Sequence, residues 1–173
     1  MAEIDWNAAA NHWIEKEADE VRMPAAELKA RIHGFIGEHK VCALACAGNG
    51  IVRNTPVEYI FADGAFWIFS EGGLKYRALE ANSDACLAIY NDDPSFGQLK
   101  GLQVTGNAEV VEPFGADYAR ACELRGLPME HLQKLPFVMN VIKIAPTRFD
   151  YLESALKAEG YSTRQHLTAE ELA

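Results

Sequence analysis

The feature that most constrains this chain is its punctuation. Between residues 41 and 73 short apolar runs alternate with tight turns. Val41 to Ala47 stops at Gly48-Asn49-Gly50, Val52 to Phe61 stops at Ala62-Asp63-Gly64, and Ala65 to Ser70 (AFWIFS) stops at Glu71-Gly72-Gly73. Asn-Gly and Asp-Gly between β-type runs are strong hairpin signals, because the favoured turns need positive φ at both central residues. Connections this short join only antiparallel neighbours. Further strands are expected over Ala85 to Tyr90, over Leu99 to Glu112 with Gly106 as a bend or bulge, and over Phe137 to Ile144, with Thr147 to Tyr151 as a short addition. About six strands of this length close most cheaply as a small barrel. Pro56 cannot donate a ladder hydrogen bond, so it belongs at an edge, an end or a bulge.

Helical spacing flanks this β region. Trp6, Ala9, Ala10, Trp13, Ile14 and Val21 recur every third or fourth position, with Asp5 as a capping residue, and read as an amphipathic helix laid on a core or on a partner subunit. A second helix is expected from Pro24, with Leu28, Ile32, Phe35 and Ile36 as its buried stripe. Leu74 to Ala81 and Phe114 to Arg125 read as a short and a longer helix, and residues 153–173 as a polar, weakly helical tail. The expected organisation is one domain over 1–173: a barrel core at 24–150, a helical arm at 1–22 and a tail at 151–173. The fold class is mainly β with flanking helices (α+β), a six-stranded antiparallel barrel.

Charge and cysteine usage narrow the function classes. With 16 Lys+Arg against 25 Asp+Glu, the chain carries −9 at neutral pH. A net anion is repelled by phosphate backbones and acidic membranes, so nucleic-acid and membrane partners are not expected. Cys42, Cys46, Cys86 and Cys122 form no CxxC pair. Cys42 and Cys46 on one strand stand about 13 Å apart at ~3.3 Å per residue, too far to bridge. Reduced thiols, the lack of an apolar leader over residues 1–13 and the lack of a long apolar run point to a cytoplasmic protein. The five histidines (His12, His33, His39, His131, His166) lack HxxxH or HExxH spacing, so no metal site is expected.

The residues with chemical potential lie between Arg53 and Leu79. If the strands after the two hairpins are antiparallel neighbours, Arg53 and Lys75 reach one end of the sheet, beside Gly72-Gly73 and the start of a short helix. Two cations, free amides and a helix N-terminus make an anion site. Spacing alone is better met by two solvated cations beside an ordinary turn.

The segment RNTPVEYIFADGAFWIFSEGGLKYRALEAN (53–82) resembles the FMN-binding split barrel of the pyridoxamine 5'-phosphate oxidase superfamily. The likeness lies in Arg53 at a strand start with Pro56 following, the aromatic strand, and Lys75 four residues before Leu79. KGLQVTGNAEVVEP (100–113) is similar to the family's next strand, and the resemblance covers about residues 24–150. It implies a homodimer with FMN in the grooves between subunits. The phosphate would sit on Arg53 and Lys75, and the ring along the backbone of Asn54, Thr55 and Pro56 and of Ile68, Phe69 and Ser70, with Phe69 beside the flavin. The second subunit would contribute from the Phe96–Gln103 region, Gln103 included.

The pattern also departs from pyridoxamine phosphate oxidases proper. Gly73-Leu74 replaces their Ser-Arg, Glu58 replaces a Lys, and the chain ends TRQHLTAEELA without their late Trp. The chain is more similar to nitroimidazole-reductase-like members. The implied function is an FMN-dependent oxidoreductase passing electrons from a donor such as NAD(P)H to a small organic molecule or oxygen. The alternatives are a non-enzymatic flavin or haem carrier or sensor, His166 being the tail histidine a haem would use, and a deazaflavin F420-dependent reductase. No catalytic side chain is singled out; Glu58, Tyr76 and Arg77 lie near the expected groove.

Overall fold

The structure is a computed structural model and describes residues 4–92, 95 and 97–172. Two helices come first, α1 (Trp6–Glu17) and α2 (Ala25–Glu38). Asp5 caps α1 by accepting the Ala8 amide at 2.9 Å, yet no residue of α1 is buried. The helix is thus not laid on a core within its own chain. α2 follows Pro24 and buries Leu28, Ile32, Phe35 and Ile36. At about 1.5–3 kcal/mol for each buried side chain, this stripe is what holds the helix on the barrel.

The strands are β1 (Val41–Gly48), β2 (Ile51–Glu58), β3 (Ile60–Ala62), β4 (Ala65–Ser70), β5 (Asp84–Tyr90), β6 (Lys100–Val110), β7 (Asn140–Glu153) and β8 (Arg164–Thr168). Between them lie α3 (Lys75–Ala81), α4 (Ala116–Arg125) and α5 (Met129–Leu132). A 3-10 turn (Ser154–Glu159) precedes β8, and α6 (Ala169–Leu172) follows it. The sheet order is β2-β1-β5-β6-β7-β4-β3, with β8 also on β7, and every pairing is antiparallel. β7 is the spine: β6 runs along one edge, while β4 and β8 share the other. The outermost strands, β2 and β3, are consecutive in the chain, so the sheet curls round into an antiparallel split barrel with flanking helices.

There are eight strands where six were expected. The run from Val52 to Phe61 breaks at Tyr59. This residue still donates its amide to Lys40 O at 3.0 Å. Its ring is buried and its hydroxyl donates to Ile36 O at 2.8 Å. The chain beyond is then free to pair with β4 instead of β1. The expected sixth strand starts at Asn140 rather than Phe137 and continues to Glu153, absorbing Thr147 to Tyr151. Pro146 is tolerated inside it because the register with β6 shifts there, between Thr105 and Gly106. The tail is not weakly helical throughout: β8 alternates, burying Gln165 and Leu167.

The expected turns form as I′ pairs, Asn49-Gly50 at φ 51° and 72° and Asp63-Gly64 at φ 55° and 71°. β4 explains its own aromatic content. Phe66 and Ile68 enter the main core, while Ala65 and Trp67 enter a second cluster under α4 with Tyr118, Ala121 and Cys122. Both faces of this strand are covered, so it reads as a continuous apolar run. The four cysteines are free, and burial pushes the Cys42 thiol up to about 12. No helix among the described residues is long and apolar enough to cross a membrane.

Candidate functional site

The split of the barrel is a groove of about 620 Å3. Residues 55–58 of β2 form one wall, residues 69–72 at the end of β4 form the other, and Lys75 closes one end. Both walls are strand edges without a partner. β2 pairs only with β1. The two-residue turn makes Gly48 and Ile51 a hydrogen-bonded pair, and alternation from there assigns Arg53, Thr55 and Val57 to β1. The Asn54 amide and carbonyl and the Pro56 carbonyl are left facing outward. Pro56 thus sits where its missing N–H costs nothing. On β4, β3 reaches only as far as Trp67. The same alternation gives the backbone of Ile68 and Ser70 to β7 and turns that of Phe69 towards the groove. The Tyr76 hydroxyl also donates to Ser70 O, at 3.1 Å.

Lys75 is the chemically unusual member. It is one of two buried polar side chains among the described residues, 6% exposed. Its ammonium donates to Gly72 O and stands 5.2 Å from the centre of the Tyr76 ring. No carboxylate among the described residues lies in ion-pair range of it or of Arg53. Burial holds the Lys75 ammonium below the usual lysine range; Cys46 opposes that shift and Arg53 adds to it. Cys46 lies beneath, buried, with its thiol 3.9 Å from Lys75 O. Burial raises that thiol, and the cations Lys75 and Arg53 pull it back. Two uncompensated cations beside unpaired amides are the elements of an anion site. With seven residues, α3 adds little dipole of its own.

Packing seats the lysine. A Cβ on Gly48 would lie 2.3 Å from Ala78 O, so only glycine lets the end of β1 approach α3 this closely. Gly73 takes φ +113°, and a Cβ there would come within 3.6 Å of Lys75 Nζ. This left-handed residue turns the chain so that the ammonium folds back over the loop.

Of the residues singled out from sequence, Thr55, Pro56, Phe69, Ser70 and Lys75 share the groove. Arg53 and Asn54 stand further along the same strand, exposed. Ile68 is fully buried in the main core. The Phe69 ring packs edge-on against Tyr118, 6.4 Å between centres. Gln103 is not brought to this groove; it lines a different cavity on the outer sheet face. Phe96 lies outside the described residues. Glu58 lines the groove and pairs with Arg125 at the end of α4. Sequence reasoning missed Gly48, read only as part of a turn, and the Gly72 carbonyl. The signal for Gly48 was available: Asn49-Gly50 already supplies the turn, so a further glycine before it marks a close approach.

The pyridoxamine 5'-phosphate oxidase family model matches residues 28–152. The chain belongs to the pyridoxamine 5'-phosphate oxidase family. Solved structures agree in fold. A heme binding protein from Mycobacterium smegmatis superposes with a TM-score of 0.63 at 21% identity, over 88% of this chain and 61% of that one. A protein from Clostridium acetobutylicum related to general stress protein 26, of the pyridoxinephosphate oxidase family, gives 0.64 at 13% identity, over 87% and 100%. An FAD-binding protein from Mesorhizobium loti gives 0.57 at 18% identity, over 73% and 90%. This barrel fold is thus shared with chains named for different cofactors. No curated protein sequence matches the chain.

Proposed function

We propose that the groove binds FMN and that the protein is a flavin-dependent oxidoreductase acting on a small organic substrate. The observation that carries this is Lys75: a nearly buried ammonium with a carbonyl and no carboxylate as partner, at the end of a groove walled by two unpaired strand edges. A buried cation left without an anion is costly unless something supplies one. A flavin mononucleotide matches the set. Lys75 and Arg53 would hold its phosphate, and the outward amides of Asn54 and Phe69 and the outward carbonyls of Asn54, Pro56 and Phe69 would meet the polar edge of its ring. When bound, FMN supplies two-electron or one-electron transfer between a donor such as NAD(P)H and an acceptor. The chain's own part is to bind, orient and shield.

The groove is open on one side, and Gln103 stands on another face of the chain. The reading therefore includes a second copy whose Gln103 region completes the site, giving a mass in solution near twice 19.1 kDa. Haem is the weaker reading for this site. His166 faces Glu20, 3.3 Å from its carboxylate, beneath α1 and away from the groove.

The test is titration of the purified protein with FMN and with riboflavin, followed by flavin fluorescence. FMN should bind more tightly than riboflavin, and Lys75→Ala and Arg53→Ala should each erase most of that preference. Protein that ignores a large excess of FMN, or variants that keep the full preference, would overturn the assignment.

A further inference from the structure

A lysine attacks carbonyl compounds only through its unprotonated amine, and an ordinary lysine holds almost none of that form at neutral pH. Burial away from anions and a neighbouring cation both raise the fraction, which is how proteins make imine-forming lysines. Lys100 and Lys143 lack these conditions, since each faces a carboxylate, Glu153 at 3.8 Å and Asp117 at 2.6 Å. Lys75 meets both of them.

The groups around Lys75 come from three elements. On β1, Cys46 is a buried thiol, raised by that burial. On β2, Arg53 lies close enough to bear on both the thiol and the ammonium. On α3, the Tyr76 ring is centred 5.2 Å from Nζ, and its hydroxyl is spent on Ser70 O. Glu58 and Glu71 line the same groove, but neither is in ion-pair range of Nζ. Burial therefore holds the ammonium below the usual lysine range; Cys46 opposes the shift and Arg53 adds to it. Nζ donates to Gly72 O, and a neutral amine keeps an N–H for that carbonyl while freeing its lone pair. The side chain is 6% exposed, yet its end closes a groove open on one side, so a small molecule in the groove meets Nζ.

We propose that in the flavin-free groove Lys75 is a reactive amine that forms an imine with small aldehydes or ketones bearing a carboxylate or phosphate, Arg53 holding the anionic group. Nζ first gives its extra proton to solvent. Its lone pair then adds to the carbonyl carbon, and the C=O π pair moves to oxygen. The two remaining N–H protons and that oxygen leave as water, so C=N replaces C=O with no electron gained or lost. An imine that takes up one proton restores an N–H for Gly72 O and a positive charge beside the Tyr76 ring. An anion that lacks a carbonyl does the opposite of activating the amine, because it holds the ammonium charged; bound FMN would shield Lys75 in this way. The inference rests on the surroundings of Lys75 and not on flavin binding.

Glyoxylate, an aldehyde with one carboxylate, tests it on the full flavin-free chain at neutral pH. Cyanoborohydride supplies the hydride that reduces the imine to a stable amine, and peptide mass mapping finds the carboxymethyl group. Lys75 should be labelled ahead of every other lysine, with a rate that levels off at lower pH than theirs. Uncharged propanal should label it less selectively, and Arg53→Ala should reduce the preference for glyoxylate roughly tenfold or more. Lys75→Arg keeps the charge and should leave no preferred site. Labelling of Lys75 no faster than that of surface lysines, or a glyoxylate preference untouched by Arg53→Ala, would overturn the proposal. Added FMN separates it from the flavin reading. Selective labelling of Lys75 that saturating FMN leaves unchanged supports this site and counts against the flavin, whereas FMN binding to a chain whose Lys75 ignores glyoxylate overturns this site and leaves the flavin standing.

Discussion

Replacing Lys75 with methionine should weaken FMN binding while leaving the flavin-free protein as stable as before or more so. On the proposed reading the two effects have opposite signs, because the ammonium would serve a bound phosphate and is a burden without it. In the free protein its burial is compensated by one carbonyl, Gly72 O, and it faces the like charge of Arg53. Methionine fills a similar volume without a charge to desolvate, and exposed Gly72 can bond to water instead. With ligand bound, the lost charge-assisted hydrogen bond costs about 1.5–3 kcal/mol, roughly 10- to 150-fold in Kd. The pH dependence follows from the lowered folded-state value. Below it, the unfavourable charge is fully present; between it and the unfolded lysine value the unfolded state holds more protons, so wild-type stability rises with pH. The advantage of Lys75→Met in urea denaturation should therefore be largest near neutral pH and shrink as pH climbs towards the ordinary lysine range. A variant less stable at pH 7 by more than about 1 kcal/mol, the scale of an ordinary internal hydrogen bond, would show that Lys75 is a structural group. The reasoning about the anion site would then fail, whatever the binding data said.

Other substitutions probe the supports of the site. Gly48→Ala should cost about 1–3 kcal/mol in urea denaturation through overpacking against the α3 backbone, and should weaken FMN binding by displacing Lys75. Tyr59→Phe removes the hydroxyl bonded to Ile36 O and leaves a buried acceptor unpaired; a loss of about 1–3 kcal/mol is expected by the same assay. Arg125→Ala breaks the ion pair with Glu58, but both side chains are largely exposed, so thermal and urea stability should change by less than about 1 kcal/mol.

The parts of the fold visible in the sequence are those fixed by local chemistry. Asn49-Gly50 and Asp63-Gly64 dictate their turns, the stripe from Leu28 to Ile36 dictates α2, and Gly106 marks the place where β6 shifts register. What escaped depends on distant partners. Nothing local in Val52 to Phe61 says that the chain must leave β1 at Tyr59, because that break is set by Ile36 O and by pairing with β4. β8 carries only two inward residues, Gln165 and Leu167. Its strongest tie, Gln165 to Val21 and Met23, spans most of the chain. In the candidate site Lys75 stands out in the sequence because it follows Gly72-Gly73-Leu74, and Arg53 because it lies just after a tight hairpin. The alternation that turns Asn54 and Phe69 outward, and Ile68 inward, follows only once strand partners are known.

A single geometric fact connects the barrel to its chemistry. An antiparallel sheet that closed fully would pair every edge, and its wall would present only side chains. Here the strand pair that should close it, β2 against β4, is prevented from pairing because the chain between them is spent on the Tyr59 crossing and the short β3. Two ladders of backbone donors and acceptors therefore remain open to a flat polar-edged ligand, at spacings the sheet itself fixes. The loop after β4 has to turn sharply, and Gly73 in the left-handed region turns it so that Lys75 comes back to the end of the opening. The free edges thus originate in the break between β2 and β3, and the cation in the Gly73 turn and the close approach of β1 to α3 at Gly48. It follows that a change restoring a continuous strand across residue 59 would pair the free edges and abolish the groove, even with Lys75 and Arg53 intact.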